Sequence, residues 1–367
     1  KTRASFDQIG FVYSNKIGNN TSLRFVNFGF NYHKSKNFNR LFSMGGALDN
    51  MSQSFQLAQE MERYGLTESE FNDILDAKNP YTKYWNQLPV LGVMGVRTGV
   101  VDWVNDSEKN IHAPWGWNGF NNNFFSKETG GISQYDFNVS FNIEDRVYLG
   151  ATLGVYDVNY DRYTSYTENL NDDKGADNGG YTLDNYYRLE GTGMDLKLGV
   201  IVRPIESSPF RLGFAVHTPT WYDLRESYNA TLSSDILAYE KPYIQTLSDF
   251  LVTPEYDYLT YDYNLTTPWK FNVSAGTTFA GAVAVGAEYE YQDYSSSKLK
   301  DVDGYELGDQ LSVENYLKGV HTFRIGMETR IIPEFSIRAG YNYSSAAFSK
   351  DAYSALSLYS TRTDFNN

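Results

Sequence analysis

The sequence predicts an all-β membrane protein, an antiparallel transmembrane β-barrel, and three observations carry the prediction. Long runs alternate apolar and polar residues with a period of two, which places the apolar set of each run on one face. Short and long connections alternate along the chain, the pattern of a wall whose two ends face different compartments. No stretch comes near the ~18 continuous apolar residues of a membrane helix, so helical spans are excluded. The 367 residues include 31 Tyr, 23 Phe, 30 Gly and no Cys. Abundant aromatics suit interfacial girdles, glycines suit strands facing a crowded lumen, and the lack of thiols suits export through an oxidising compartment. A net charge of −14 argues against a nucleic-acid partner, whose binders carry basic surfaces. No signal peptide is visible, the pattern of a mature or trimmed chain. The whole of 1–367 reads as one barrel domain.

The alternation is clearest in the hairpin 132–156. Tyr135, Phe137, Val139, Phe141 and Ile143 are separated by Asp136, Asn138, Ser140 and Asn142. After Glu144-Asp145, Val147, Leu149, Ala151, Leu153 and Val155 alternate with Tyr148, Gly150, Thr152, Gly154 and Tyr156. Each run lasts about 9–11 residues, the length a tilted strand needs to cross a bilayer. About ten strands are expected, near 5–14, 22–33, 131–143, 146–160, 187–203, 210–222, 257–279, 282–291, 318–330 and 335–343. Their apolar faces hold, for example, Phe28 and Phe30, Leu196 and Leu198, Phe271 and Val273, and Ile337 and Tyr341. The opposite faces hold Asp195, Lys197, Arg211, His217, Lys270, Glu288, Glu290, Arg324, Glu328 and Arg338. Charges of both signs on one face fit a wet, cross-paired lumen.

Short connections fall at Asn15–Asn20, Glu144-Asp145, Pro204–Pro209, Ala280-Gly281 and Ile331–Glu334; long ones cover 34–130, 161–186, 223–256 and 292–317. Outer-membrane barrels put short turns in the periplasm and long loops outside. Strand 22–33 rises and strand 131–143 descends, so nothing between them crosses once. The apolar run Leu88–Val101 therefore belongs outside with the rest of 34–130, an extracellular helical cap. In it Asn50 is placed to cap a helix with the stripe Met51, Phe55, Ala58 and Met61. Thr67 and Glu70 form a capping box for a second helix carrying Phe71, Ile74 and Leu75. That apolar face has two compatible readings: packing onto the rim and the 88–101 segment, or a groove for an apolar ligand. The patch of Trp115, Trp117, Phe120, Phe124 and Phe125 either lines such a groove or anchors at the interface. Parity leaves an open ten-stranded sheet, because the first strand descends and the last rises.

Six segments, in order, resemble the FadL family of outer-membrane transporters for hydrophobic compounds, most closely the branch labelled hemin receptors. They are RVYLGATLGV (Arg146–Val155), GTGMDLKLGVIVRP (Gly191–Pro204), FRLGFAVHTPTWYDL (Phe210–Leu224), YNLTTPWKFNVSAGTTF (Tyr263–Phe279), AVGAEYEYQDYS (Ala284–Ser295) and FSIRAGYNYSS (Phe335–Ser345). The cap matches only by position and helical character. The resemblance implies a fourteen-stranded barrel plugged by an N-terminal hatch. The ten strands here would be its second to eleventh, with the hatch, the first strand and the last three lying outside this sequence. It also implies capture of an apolar ligand in a loop groove, passage to a luminal pocket and sideways release into the membrane. Outer-membrane lipid and lipopolysaccharide would surround the wall, and no cofactor is expected.

Among single residues, Arg211, Arg324 and Arg338 are the inward groups suited to a ligand carboxylate, which guanidinium pairs in a bidentate fork. The competing reading is an ion-pair network with Glu288, Glu290 and Glu328. His217 faces inward, whereas His321 shares the parity of Phe323. His33 and His112 are the candidates for a heme axial ligand, against ordinary surface histidines. Asp301, Asp303 and Gly304 resemble the start of a calcium loop, but the twelfth position is Ser312. Four scattered His and no G-x-S-x-G element or phosphate loop argue against an enzyme. The expectation is thus outer-membrane transport of a hydrophobic small molecule. The alternative is a non-transporting barrel that binds protein partners through its extracellular loops, in the manner of the secretion-complex subunits among FadL relatives.

Overall fold

Apolar alternation on one face and polar alternation on the other makes each strand a wall element, and register decides how the elements join. The computed structural model describes residues 6–49, 51–76, 88–108, 111–172, 174–237, 243–246, 259–332, 334–350, 352 and 365–366. Its strands are β1 (Gln8–Lys16), β2 (Leu23–Asn37), β3 (Arg40–Ala47), β4 (Val101–Asp106), β5 (Ile111–Gly116), β6 (Asn118–Ile143) and β7 (Val147–Asn171). These are followed by β8 (Asp177–Val202), β9 (Arg211–His217), β10 (Trp221–Ile236), β11 (Tyr243–Thr246), β12 (Leu259–Thr266) and β13 (Lys270–Phe279). The last are β14 (Val283–Asp293), β15 (Lys298–Asp301), β16 (Gly319–Ile332), β17 (Phe335–Ser344) and the two-residue β18 (Phe365–Asn366). All but β4 and β5 belong to one antiparallel sheet, curled into a half-barrel.

The wall path runs β1-β2-β6-β7-β8-β9-β13-β14-β16-β17, with β18 beyond. β2 and β6 are direct neighbours, as parity requires. The hairpin turns have the expected geometry. Glu144 and Asp145 both take positive φ (53° and 56°), and Ala280 and Gly281 do the same (48° and 68°). That pair of left-handed residues matches the strand twist. Asn142 holds the first turn: its Oδ1 accepts from the Asp145 N–H at 3.0 Å and its Nδ2 donates to the Asp145 carboxylate at 2.7 Å.

Three expected strands are longer than the sequence reading. β6, β7 and β8 have 26, 25 and 26 residues, so most of the expected loop 161–186 is strand. Two others are divided. The expected strand 210–222 breaks at Thr218–Pro219–Thr220 into β9 and β10, and 257–279 breaks at Thr267–Pro268–Trp269 into β12 and β13. β14 and β15 are likewise separated by a 3-10 turn at Tyr294–Ser296. Pro219 and Pro268 have no N–H to give to a ladder. Threonine hydroxyls supply acceptors at the breaks: Leu196 N–H donates to Thr218 Oγ1 at 3.0 Å and Thr220 N–H to Thr267 Oγ1 at 2.7 Å, beside the backbone bonds Thr218 N–H to Leu196 O and Thr267 N–H to Thr220 O. Because β9 and β10 both pair β8, and β12 and β13 pair β10 and β9, the breaks align into a seam across neighbouring strands.

The segment 34–130 is not wholly helical. It holds the end of β2, β3 paired to β6, the β4–β5 ribbon, and the first half of β6, which carries Phe120, Phe124 and Phe125. Its helices are α1 (Gln53–Glu62), α2 (Glu68–Asp76) and α3 (Val90–Arg97). Ser52 caps α1, accepting from the Ser54 N–H at 2.9 Å; the expected cap, Asn50, lies outside the described residues. The Thr67–Glu70 capping box forms, with Thr67 N–H donating to Glu70 at 2.8 Å and Glu70 N–H to Thr67 Oγ1 at 3.3 Å. The run Leu88–Val101 becomes α3 and packs with α1 and α2. A further short helix, α4 (Gln310–Tyr316), follows β15.

Candidate functional site

Register turns alternation along each strand into bands across the wall. One outward row reads Val26, Phe141, Leu149, Val200, Phe214, Val273, Tyr289, Phe323 and Tyr343, each residue opposite the next. The adjacent inward row reads Asn27, Ser140, Gly150, Gly199, Ala215, Asn272, Glu290, Thr322 and Ser344. Nine strands thus agree on which face is apolar. Phe137, Met194, Phe271, Ile325 and Ile337 are 52, 55, 51, 55 and 50% exposed on that face. Such a continuous exposed apolar surface is foreign to a water-soluble monomer and normal for a wall facing lipid.

Inside, a polar cluster faces the lumen beside the seam. Lys197 Nζ lies 2.9 Å from Asp136 and 3.7 Å from Asp195. The Tyr156 hydroxyl donates to Asp195 Oδ2 at 2.7 Å, and Gln134 Nε2 donates to Asp136 at 2.8 Å. Asp195 is only 4% exposed. Gly154 faces Asp136 and Asp195 across the ladder, and a Cβ there would collide with the Asp195 carboxylate. Tyr222 leans on Tyr156, ring centroids 5.7 Å apart, and fills the space left by Gly193. The sequence showed these residues' parity but not their convergence, because only register brings residues 136, 154 and 195 side by side. The two glycines were the available signal.

Higher on the same inner face, the cap makes a core with the strand extensions. Met61, Phe71, Ile74, Met94, Leu170, Leu183, Leu232 and Ile236 are fully buried there. Glu168, on β7, is also fully buried; its Oε2 accepts from the Tyr166 hydroxyl (2.5 Å), the Tyr181 hydroxyl (2.9 Å) and the backbone N–H of Gln53 (3.1 Å). A carboxylate at the start of α1 meets the positive end of the helix dipole. Burial, and then the Glu168 charge, hold the Tyr181 phenol well above its ordinary range. The Ser234 hydroxyl donates to Thr98 O at 2.5 Å, fastening the end of α3 to β10.

The expected site residues are distributed as follows. Ala58, Met61, Phe71 and Ile74 lie inside the cap core, so they supply packing rather than an open groove wall in this conformation. Met51 precedes α1 and is exposed, as is Leu75; Phe55 is half-buried, its ring edge-on to Trp115 at 5.8 Å. Arg324 pairs with Glu288 and, at 3.2 Å, with Glu290; Arg338 pairs with Glu328 at 2.9 Å. Arg211 lies over the Tyr148 ring at 5.8 Å. His217 sits between Lys197 and Lys270 in register. His33 is on β2, 3.7 Å from Asp136, and His112 is on β5 opposite Asn105. Asp301 Oδ1 closes its own turn, accepting from the N–H groups of Asp303 (3.0 Å) and Tyr305 (2.8 Å). Among the described residues no three metal-ligating side chains converge.

These features define a class: an antiparallel β wall, apolar outside and polar inside, with a small helical core folded over one end of its inner face. No protein-family model matches the chain, and no curated protein matches it. Among solved structures, a Pseudomonas aeruginosa FadL homologue is similar at 13% identity and a TM-score of 0.40, over 94% of this chain and 73% of that one. The CymD monoaromatic hydrocarbon channel is similar at 14% identity and a TM-score of 0.34, over 64% of this chain and 70% of that one. At such low similarity neither assigns a function to this chain.

Proposed function

We propose that the chain is the wall and cap of an outer-membrane β-barrel that passes apolar small molecules from the cell exterior toward the bilayer. The observation that carries this reading is the seam. It joins the luminal side, beside Tyr156 and Tyr222, to the apolar belt, beside Met194 and Trp221. At each break the strands are held by one backbone bond, Thr218 N–H to Leu196 O at 2.9 Å and Thr267 N–H to Thr220 O at 3.0 Å, beside one threonine hydroxyl bond, and the prolines end the regular ladder there. Above it the cap core lies over the inner face, a position from which Phe55 and Trp115 meet incoming ligand. No covalent step is needed, because an apolar solute is more soluble in the bilayer than in the periplasm.

The test uses the natural lack of cysteine. Cysteines at Met194 and Trp221, which are partners in register directly above the break, would lock β8 to β10 when oxidised. Uptake of a long-chain fatty acid or a monoaromatic hydrocarbon by cells carrying the pair should fall at least tenfold on oxidation and return on reduction. Unchanged uptake in the oxidised state rejects release through the seam. Unchanged uptake together with a stoichiometric co-purifying protein favours the non-transporting alternative.

A further inference from the structure

The outer face of the wall changes character within one register row. The last apolar row is Tyr32, Tyr135, Val155, Met194 and Trp221. The next outward row is Lys34, Ser133, Asp157, Thr192, Asp223 and Asn264. Higher on that same face, where β6, β7 and β8 stay in unbroken register, a groove of about 270 Å³ opens between Lys127, Asp161, Tyr163, Tyr186, Arg188 and Glu190. A rise of ~3.3 Å per residue and a strand tilt near 40° place successive outward rows ~5 Å apart in height. The groove therefore spans roughly 10–20 Å above the edge of the belt.

We propose that this groove holds the saccharide head group of an outer-leaflet glycolipid whose acyl chains lie on the belt below. The proposal rests on the belt being lipid-facing. The Tyr163 and Tyr186 rings stand 4.9 Å apart, and the Tyr163 hydroxyl is fixed by donating to Asp184 at 2.8 Å. They offer an apolar platform of the kind a pyranose ring covers. Arg188 is held 2.7 Å from Asp161 and 3.9 Å from Glu190, which sets donors and acceptors side by side for sugar hydroxyls. Among the charged lining residues Lys127 and Arg188 offset Asp161 and Glu190, and Arg162 leaves one positive charge, which suits a polyhydroxylated ligand with a single anionic substituent better than a multiply charged one. Lys127 at the rim suits a single phosphate ester on the sugar. Continuity supplies the rest: a molecule seated here has its chains carried down the same face, past Asp157 and Thr192, onto Met194 and Val155. A glycolipid meets both requirements, and a soluble sugar or a protein segment meets only the upper one.

The experiment reconstitutes the full chain into phosphatidylethanolamine–phosphatidylglycerol vesicles and measures two things, flotation with the vesicles and binding of two probes. One probe is lipopolysaccharide bearing its core oligosaccharide; the other is lipid A without that core. The wild-type chain should bind the core-bearing form at least tenfold more tightly. Tyr186→Ala and Arg188→Ala should each abolish that preference while floating normally, and Tyr186→Phe, which keeps the ring, should retain it. Equal binding of the two probes by wild type, or a preference untouched by both alanine variants, overturns the site while leaving the wall intact. Failure of the wild type to float overturns both.

Discussion

The lower and upper halves of β7 and β8 are one continuous ladder, yet they have opposite solvents. Below, Leu149, Leu153, Leu196 and Leu198 face outward into the apolar belt, and Gly150, Thr152, Lys197 and Gly199 face in. Above, Asp157, Asn159, Asp161, Arg188 and Glu190 face outward, Val158 is buried on the inner face, and Leu170, Tyr181 and Leu183 are buried inside against the cap. The phase of hydrophobicity reverses at Val155–Tyr156–Asp157–Val158 with no register shift at that height; the irregularity between these strands lies at Asn169–Asn171. The backbone is indifferent to the change; the medium on each face dictates it. A strand pattern therefore reports what surrounds a wall at each height, not simply which face is core.

Three perturbations break or sharpen that contrast. Phe71→Ala removes a fully buried ring from the upper inner core and should cost about 3–5 kcal/mol of local stability. Limited proteolysis checks it: new cleavage should be confined to 51–117, with the lower wall protected. Leu198→Arg puts a charge on the lower outer face, where burial in lipid penalises it by about 2–4 kcal/mol. The same change at Asn159, on the upper outer face of the neighbouring strand, should stay within about 0.5 kcal/mol. Equilibrium unfolding from vesicles compares the two, and equal costs would contradict the change of medium. The smallest effect comes from Arg225 and Asp262, an exposed upper pair at 2.6 Å. The hydrogen bond from Arg225 holds the Asp262 carboxyl below its ordinary value of 3.8. A depressed carboxylate stabilises the fold fully above 3.8 and loses that contribution as the pH falls through the lowered value. Exposure limits it to about 0.2–1 kcal/mol. A double-mutant cycle at pH 7 should detect coupling that disappears toward pH 2.

Much of the wall was legible because period-two alternation is local. The turns at Glu144-Asp145 and Ala280-Gly281 and the inward parity of Asp195 and Lys197 follow from single strands or single hairpins, and the neighbouring of β2 with β6 from the alternation of short and long connections. The lengths of β6 to β8 were harder to see, since the apolar face swaps sides near Val155 and a reader following one face stops there. The breaks at Pro219 and Pro268 had their warning in the prolines, but their alignment depends on pairing between strands far apart in sequence. In the cap, the stripe of Ala58, Met61, Phe71 and Ile74 was visible as apolar. Whether it lined a groove or filled a core depended on α3 and on Leu183 and Leu232 of the wall, which arrive from elsewhere in the chain.

The sequence by itself determined the two faces of each strand, the tight turns and the capping box of α2, because each is set by residues within a few positions of one another. Only the tertiary structure decided that Asp136, Asp195, Lys197 and Tyr156 share one cluster, that the broken strands form a seam, and that tyrosines and paired charges meet in a groove above the belt. Those features require register across strands, and register is fixed by the sum of cross-strand contacts rather than by any one segment.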